Sequence, residues 1–306
     1  MREAFSTALI QLAQKDPRVI LLTGDHGYAL FDEFRRVCPS QYINAGIAEQ
    51  NMVGMAAGLA RSGFRPIVYG LSAFIPVRVL EQIKLDVAHD RLPVIFIGDG
   101  AGFVYSHLGT SHQSTEDIAC ARAIPDLQIL SPADAFEMTM CMHAAYQANS
   151  SVYLRMGKSD RGSVHQVVPD TSPGQLFQLK QGKSGGLSFI ATGSMVRTAI
   201  QIATSSYGDA SVWSAPFIKP TEVAQVKAIC QDSSAVVTME EHSIYGGLGS
   251  MIAEIASEYY PVSILRIGVK DRFSEHCGTY DYLLREHGLD SSSIEKQLTE
   301  FLSRTL

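Results

Sequence analysis

The sequence has no apolar run long enough to cross a membrane, no block of like charges and no low-complexity tract. The first absence excludes a helical membrane span, and the opening Met1-Arg2-Glu3-Ala4-Phe5 lacks the apolar core of a secretory signal. A soluble, cytoplasmic protein is therefore expected. Lysine and arginine together number 25 against 31 acidic residues, a formal charge of -6, and they form no stripe. That excludes nucleic acid and anionic membranes as expected partners. Cysteine is scarce too: Cys38, Cys120, Cys141, Cys230 and Cys277 lie far apart and in odd number, which fits neither a disulfide framework nor a zinc site. They read as reduced and mostly structural. What remains is 306 residues with 46% hydrophobic and 18% charged content, enough apolar material for two cores.

Those apolar residues alternate between two periods. Phe5, Ala8, Leu9, Leu12 and Ala13 recur at helical spacing, and the β-branched run 18–23, ending at Gly24-Asp25, reads as a buried strand. Helices at 49–61, 77–88 and 116–123 then alternate with strands at 66–69, 93–97 and 127–130, and a strand at 152–155 follows a further helix. Ser131-Pro132-Ala133-Asp134 reads as the start of that helix, with Ser131 as cap and Pro132 in the first turn. Continuous apolar strands separated by helices predict a mainly parallel sheet covered on both faces. Periodicity fades after Gly157, so residues 1–158 are read as one domain and 159–186 as a linker. A second α/β domain over 187–306 has strands at 187–191, 210–213, 235–239 and 262–267. Its helices start near Val196, Val223 and Leu248.

The segment Gly46-Ile47-Ala48-Glu49-Gln50-Asn51 opens the second helix. On that helix Glu49 shares a stripe with Met52, Val53, Ala56, Leu59 and Ala60, which puts a carboxylate on the buried face. A buried carboxylate is either neutral or strongly partnered; a half-exposed Glu stabilised at the helix start is the blander alternative. Gly54 and Gly58 leave an adjacent stripe open to a close backbone approach. Further on, the Gly-rich loop 98–117 carries His107 and His112 between a strand and a helix, at the sheet edge where open α/β folds bind ligands. Histidine is the residue type most often used for proton transfer, which makes both candidates for such a role.

Gly46 to Asn51 closely resembles the pyrimidine-binding signature of transketolases, deoxyxylulose-phosphate synthases and 2-oxoacid dehydrogenase β subunits. The resemblance runs on through Ser72-Ala73-Phe74, Arg78-Val79-Leu80-Glu81-Gln82, Ser111-His112, Glu116-Asp117 and Glu240-Glu241-His242. It implies a thiamine-diphosphate enzyme, in which Glu49 bonds the aminopyrimidine and drives its imino tautomer. Phe74 would stack on that ring, although a core Phe is an equal reading. His112 would contact substrate hydroxyls near the reacting carbonyl, while His107 is left as a surface histidine. Asp25 matches a cofactor-contacting Asp or, equally, a turn former. Arg155 would grip a sugar phosphate, with a strand-end salt bridge as the alternative, and Arg2 would join it. The family's other pocket aromatics fall on Val77 and Leu80, so that wall departs from the pattern. Glu240 to His242 and the glycines after it imply a structural role at the domain and subunit interface.

No metal ligand is assigned. Gly98-Asp99-Gly100 has the form that opens the class's metal and diphosphate motif, but the expected downstream Asn is missing from Ile124-Pro125-Asp126-Leu127-Gln128. The triplet is read as coincidence, and Mg2+ and diphosphate are expected on an N-terminal partner subunit, because a divalent ion needs several oxygen ligands. The resemblance therefore implies the C-terminal subunit of a split transketolase in an α2β2 heterotetramer, transferring a two-carbon ketol unit between a ketose and an aldose. The alternatives are the β subunit of a 2-oxoacid dehydrogenase or another decarboxylating enzyme, and a non-catalytic regulatory or scaffold remnant. Phosphorylated, sulfonated and nucleotide-linked sugars all remain open as substrates.

Overall fold

The structure, a computed structural model, describes residues 1–157 and 162–305. The first half runs α1 (Arg2–Lys15), β1 (Val19–Thr23), α2 (Asp32–Val37), β2 (Tyr42–Asn44), α3 (Glu49–Arg61), β3 (Arg65–Leu71), α4 (Leu80–Gln82), β4 (Ile95–Asp99), α5 (Asp117–Arg122), β5 (Gln128–Leu130), α6 (Ala135–Gln147) and β6 (Val152–Met156). The second half continues with β7 (Phe177–Lys180), β8 (Leu187–Ala191), α7 (Met195–Ser205), β9 (Ser211–Ser214), β10 (Phe217–Lys219), α8 (Val223–Gln231), β11 (Ala235–Ser243), α9 (Leu248–Tyr259), β12 (Ile264–Val269), α10 (Tyr280–Glu286) and α11 (Ser291–Thr305). Among the described residues no helix is long and apolar enough to cross a membrane.

Two sheets result, with strand orders β10-β5-β6-β4-β3-β1-β2 and β12-β11-β8-β9-β7. All pairs are parallel except β10 with β5 and β7 with β9, each at an edge. Strands β1, β4 and β6 are buried along their whole length, as continuous apolar runs require when helices cover both faces. On one face Met52, Val53 and Ala56 of α3 pack with Val68, Ile83 and Phe96. On the other, Phe5 and Leu9 of α1 pack with Leu21, Ile97 and Met138. The two-domain α/β architecture expected from the sequence is the one observed.

Three local expectations are corrected. The stretch 77–88 is not one regular helix: a 3-10 turn at Val77–Val79 leads into α4 and then a π-helical segment, Ile83–Ala88. Val79, Ile83 and Val87 are all buried at intervals of four, wider than the 3.6-residue turn of an α-helix, and a π turn accommodates that spacing. Ser131 does not cap α6. Its amide donates to Pro216 O, prolonging the sheet edge, and the cap is Asp134, whose carboxylate accepts from Glu137 N at 2.9 Å. Gly54 and Gly58 face open space within this chain. Strand β7 lies inside the stretch read as linker and pairs with β9; the expected boundary at 158/159 falls outside the described residues. Strand β10 has no counterpart in the sequence reading, because Pro216 and Pro220 make its three residues resemble a loop.

Candidate functional site

The carboxyl ends of β1, β3 and β4 deliver Asp25, the Ser72–Phe74 turn and the long loop after Asp99 to one edge of the first sheet. Glu49, the first residue of α3, reaches the same edge and is only 6% exposed. Of the two alternatives for a buried carboxylate, the structure shows strong partnering. Arg78 Nη1 donates to Glu49 Oε1 at 3.1 Å. The Arg78 guanidinium carbon lies 3.9 Å from the centroid of the Phe74 ring, within cation–π range. Phe74 in turn meets His112 edge-on, with ring centroids 5.4 Å apart, and Ser111 Oγ is 2.9 Å from His112 Nδ1. Glu49, Phe74 and His112, read separately from the sequence, are thus joined in one chain of contacts. Arg78 is the link that the sequence reading missed. Its signal was the four-residue spacing from Phe74, which brings the two side chains together on a helical turn.

The loop after β4 is built to hold His112. At Gly100, where φ is +82, a Cβ would lie 2.0 Å from the Tyr105 ring, so the turn needs glycine on steric and conformational grounds. Tyr105 and Tyr69 donate to Asp99 Oδ2 at 2.8 and 2.7 Å, and Arg2 Nη2 reaches the same oxygen at 2.5 Å. Burial and the neighbouring Asp99 carboxylate push the Tyr105 hydroxyl up to about 12. Asp99 is therefore the hub of a hydrogen-bonded cluster at the base of the loop. Farther along, Ser274 Oγ donates to Gln113 Oε1 at 2.7 Å and Phe103 stacks on His287, so the second half of the chain braces the loop from outside. His107 is exposed on a 3-10 turn of the same loop.

Two expected phosphate ligands are committed elsewhere. Arg155 is 4% exposed; its Nε donates to Asp117 Oδ2 at 2.7 Å, and its Nη2 donates to Ser114 O at 3.0 Å and Glu241 O at 2.8 Å. Burial would raise the Asp117 carboxyl, but the Arg155 charge beside it, helped by a bond from Tyr153, holds it below the ordinary carboxylate range. The strand-end salt bridge is what forms, and it ties β6 to α5, to the His112 loop and to β11. Arg2 likewise spends its guanidinium on Asp99 and Tyr105. Breaking a buried pair by removing one partner leaves a charge uncompensated. We therefore predict that Arg155→Ala lowers stability by about 3–5 kcal/mol in denaturant unfolding. Its Michaelis constants for phosphorylated and unphosphorylated donors should change in parallel. A selective rise for phosphorylated donors with unaltered stability would restore the phosphate role.

Asp25 closes the edge in an exposed left-handed turn (φ 60). Its amide donates to Asn44 Oδ1 and its carboxylate accepts from Asn44 Nδ2, both at 3.2 Å. Of the two readings the sequence left open, the turn-forming one is what these bonds show. The Glu240-Glu241-His242 segment lies in the core of the second half. Glu240 accepts from Leu248 N and Gly249 N at the start of α9. Glu241 accepts from Phe103 N at 2.6 Å and from the hydroxyls of Ser194 and Tyr280, joining the loop of the first half to the second.

The first α/β unit thus brings an acidic helix start, an aromatic ring and a histidine loop to the carboxyl edge of a parallel sheet, where open α/β folds bind ligands, and a second α/β unit follows. Residues 1–162 match the pyrimidine-binding domain of transketolase and residues 179–294 match the transketolase C-terminal domain. The chain belongs to the transketolase family. It is 32% identical over 99% of its length to one of the subunits of the apulose-4-phosphate transketolase of Phocaeicola vulgatus, covering 97% of that protein. To subunit SqwH of the 6-deoxy-6-sulfo-D-fructose transketolase of a Clostridium species it is also 32% identical, over 99% of this chain and 95% of the relative. A solved structure described as a split-gene transketolase, inactive beta4 tetramer, superposes with a TM-score of 0.91 at 33% identity, covering 100% of this chain and 99% of the other.

Proposed function

We propose that the chain is the C-terminal subunit of a two-chain transketolase that moves a two-carbon ketol unit from a ketose to an aldose with thiamine diphosphate. The observation that carries this is the contact chain Glu49–Arg78–Phe74–His112 at one sheet edge. The guanidinium of Arg78 is a flat group that donates N–H to Glu49 while lying against Phe74. An aminopyrimidine needs the same two contacts, so the residues present fit the coenzyme's ring. Arg78, with a half-exposed side chain, gives way or shifts along the ring when the coenzyme enters.

When bound, the coenzyme supplies the carbon nucleophile that cleaves and re-forms the sugar carbon–carbon bond. Glu49 holds a proton at a ring nitrogen of the pyrimidine, from a position where little water competes. Phe74 offers its face to the ring, and His112 holds or moves a proton at a substrate oxygen. Asp25 closes the coenzyme side of the edge. Among the described residues no group of three or more His, Cys, Asp or Glu side chains is arranged to hold a metal. We therefore assign Mg2+ and the diphosphate to an N-terminal partner subunit. Ile47 and Tyr28, 79% and 77% exposed, lie beside Glu49 and Asp25; exposed apolar surface of this kind suits a subunit interface. The same proposal includes an α2β2 assembly located in the cytoplasm.

The test is reconstitution with that partner, followed by product analysis with ketose donors and aldose acceptors. Decarboxylation of a 2-oxoacid without ketose cleavage would overturn the proposal. Two relatives equally similar to this chain carry names with a phosphorylated and a sulfonated sugar, so the sugar must be found by that screen. In the assembled enzyme we expect His112→Ala to lower kcat by about 100-fold or more. Coenzyme affinity, read by calorimetry, should change little, because His112 faces the substrate. An unchanged kcat removes His112 from the chemistry.

A further inference from the structure

Strand β9 turns Ser211 and Trp213 to one face of the second sheet, because alternate residues of a strand share a face. Their register partners extend that face: Ser188 of β8 lies opposite Ser211, and Gln178 of β7 lies opposite Trp213. Trp213 packs against the core cluster that holds Val226 and Ile229 of α8, yet it stays partly exposed. Beside it opens a cavity of about 310 Å³, lined by Gln178, Gln181, Ser188, Ser211, Trp213 and Asp232 and flanked by α8. Gln178, Gln181 and Asp232 are exposed, so the cavity is open to solvent. One wall is fixed, because the Gln225 side chain clips the lead-in to β7 onto α8, accepting from Leu176 N and donating to Leu176 O, both at 2.8 Å.

The polar groups around this cavity have capacity to spare. Gln181 Nε2 donates only to the adjoining Gly182 O at 3.3 Å, and Asp232 uses Oδ1 for Ser184 Oγ at 2.5 Å, leaving its second oxygen. An amide both donates and accepts, and a carboxylate accepts; together they suit a ligand that carries several hydroxyls. The indole supplies the apolar surface on which the C–H face of a sugar ring can lie. Charge narrows the class further. Asp232 lines the cavity and neither Lys nor Arg does among the described residues, so a phosphate or sulfonate meets repulsion without a counter-charge. A cationic ligand would use Asp232 and the indole but leave both glutamine amides with nothing to bind. The volume lies near the lower end of the range for small-molecule sites, about 300–1,000 Å³, which favours a single sugar ring over a nucleotide.

We infer that this cavity binds a neutral monosaccharide, its ring stacked on Trp213 and its hydroxyls held by Gln178, Gln181 and Asp232. All the lining residues belong to the second half of the chain, so the site is separate from the Glu49–His112 edge and does not rest on the ketol-transfer proposal. Trp213 is the single tryptophan of the sequence, which makes its fluorescence a direct reporter in the full-length chain. Titration with D-glucose and with D-fructose should give a saturable change for at least one of them, with a dissociation constant of about 1 mM, as suits one stacked ring and a few solvent-exposed hydrogen bonds. D-Glucose 6-phosphate and choline should bind more weakly. Gln178→Ala should weaken sugar binding about three- to tenfold, and Asp232→Asn should narrow the gap between glucose and its phosphate; both side chains are exposed, so circular dichroism should show an unaltered fold. No saturable response to either neutral sugar, the same affinity in Gln178→Ala, or tighter binding of the phosphate or of choline would each overturn the site.

Discussion

Glu49→Gln, assembled with the partner subunit, is expected to fold and bind coenzyme yet turn over about 100 to 10,000 times more slowly than wild type. The change preserves the shape of the side chain and removes only its capacity to carry a negative charge and take a proton. Position 49 is the first residue of a helix whose inner face is fully packed by Met52, Val53 and Ala56, so the carboxylate is held rigidly where its Oε1 meets Arg78. A glutamine can still accept a hydrogen bond there, which is why folding survives. Steady-state turnover at saturating coenzyme, with circular dichroism and calorimetry as controls, decides the matter. Wild-type-like turnover would remove Glu49 from the chemistry.

The second large effect concerns the chain on its own. Without its partner it should show no ketol transfer and no tight, magnesium-dependent binding of thiamine diphosphate. The Glu49–Phe74 edge provides for a flat ring, but a diphosphate needs cationic or backbone donors and a metal needs several oxygens. Asp99, the carboxylate best placed to suggest otherwise, already accepts from Arg2, Tyr69 and Tyr105. Titration calorimetry of the purified chain with and without partner separates the cases. Tight binding by the chain alone would mean that Gly98-Asp99-Gly100 had been misjudged and that the split-enzyme proposal is mistaken.

Periodicity puts Glu49 on the stripe with Met52, Val53 and Ala56 but leaves a half-exposed glutamate at the helix start as the commoner outcome; the resemblance tips the reading towards burial, which the packing of α3 then shows. The partner of Glu49 is not legible in this way, since Arg78 lies 29 residues away and reaches it only through the packing of α3 against the turn after β3. Arg155 shows the converse. A strand-end arginine near a ligand-binding edge suggests a phosphate grip, but whether its guanidinium is free depends on Asp117, Ser114 and Glu241, none of them local in sequence. The resemblance supplied roles for Glu49, Phe74 and His112, while the geometry supplied the contacts that join them.

The small strand β10 also changes how the chain divides. It leaves the second half to lie along β5, so the outermost ladder of the first sheet is completed by residues that come after β7, β8 and β9. Cutting the protein between its two halves would therefore not release two finished pieces. The first would keep its strands but carry β5 as a bare rail of unpaired amides and carbonyls, open to any extended peptide and prone to stacking on its own kind.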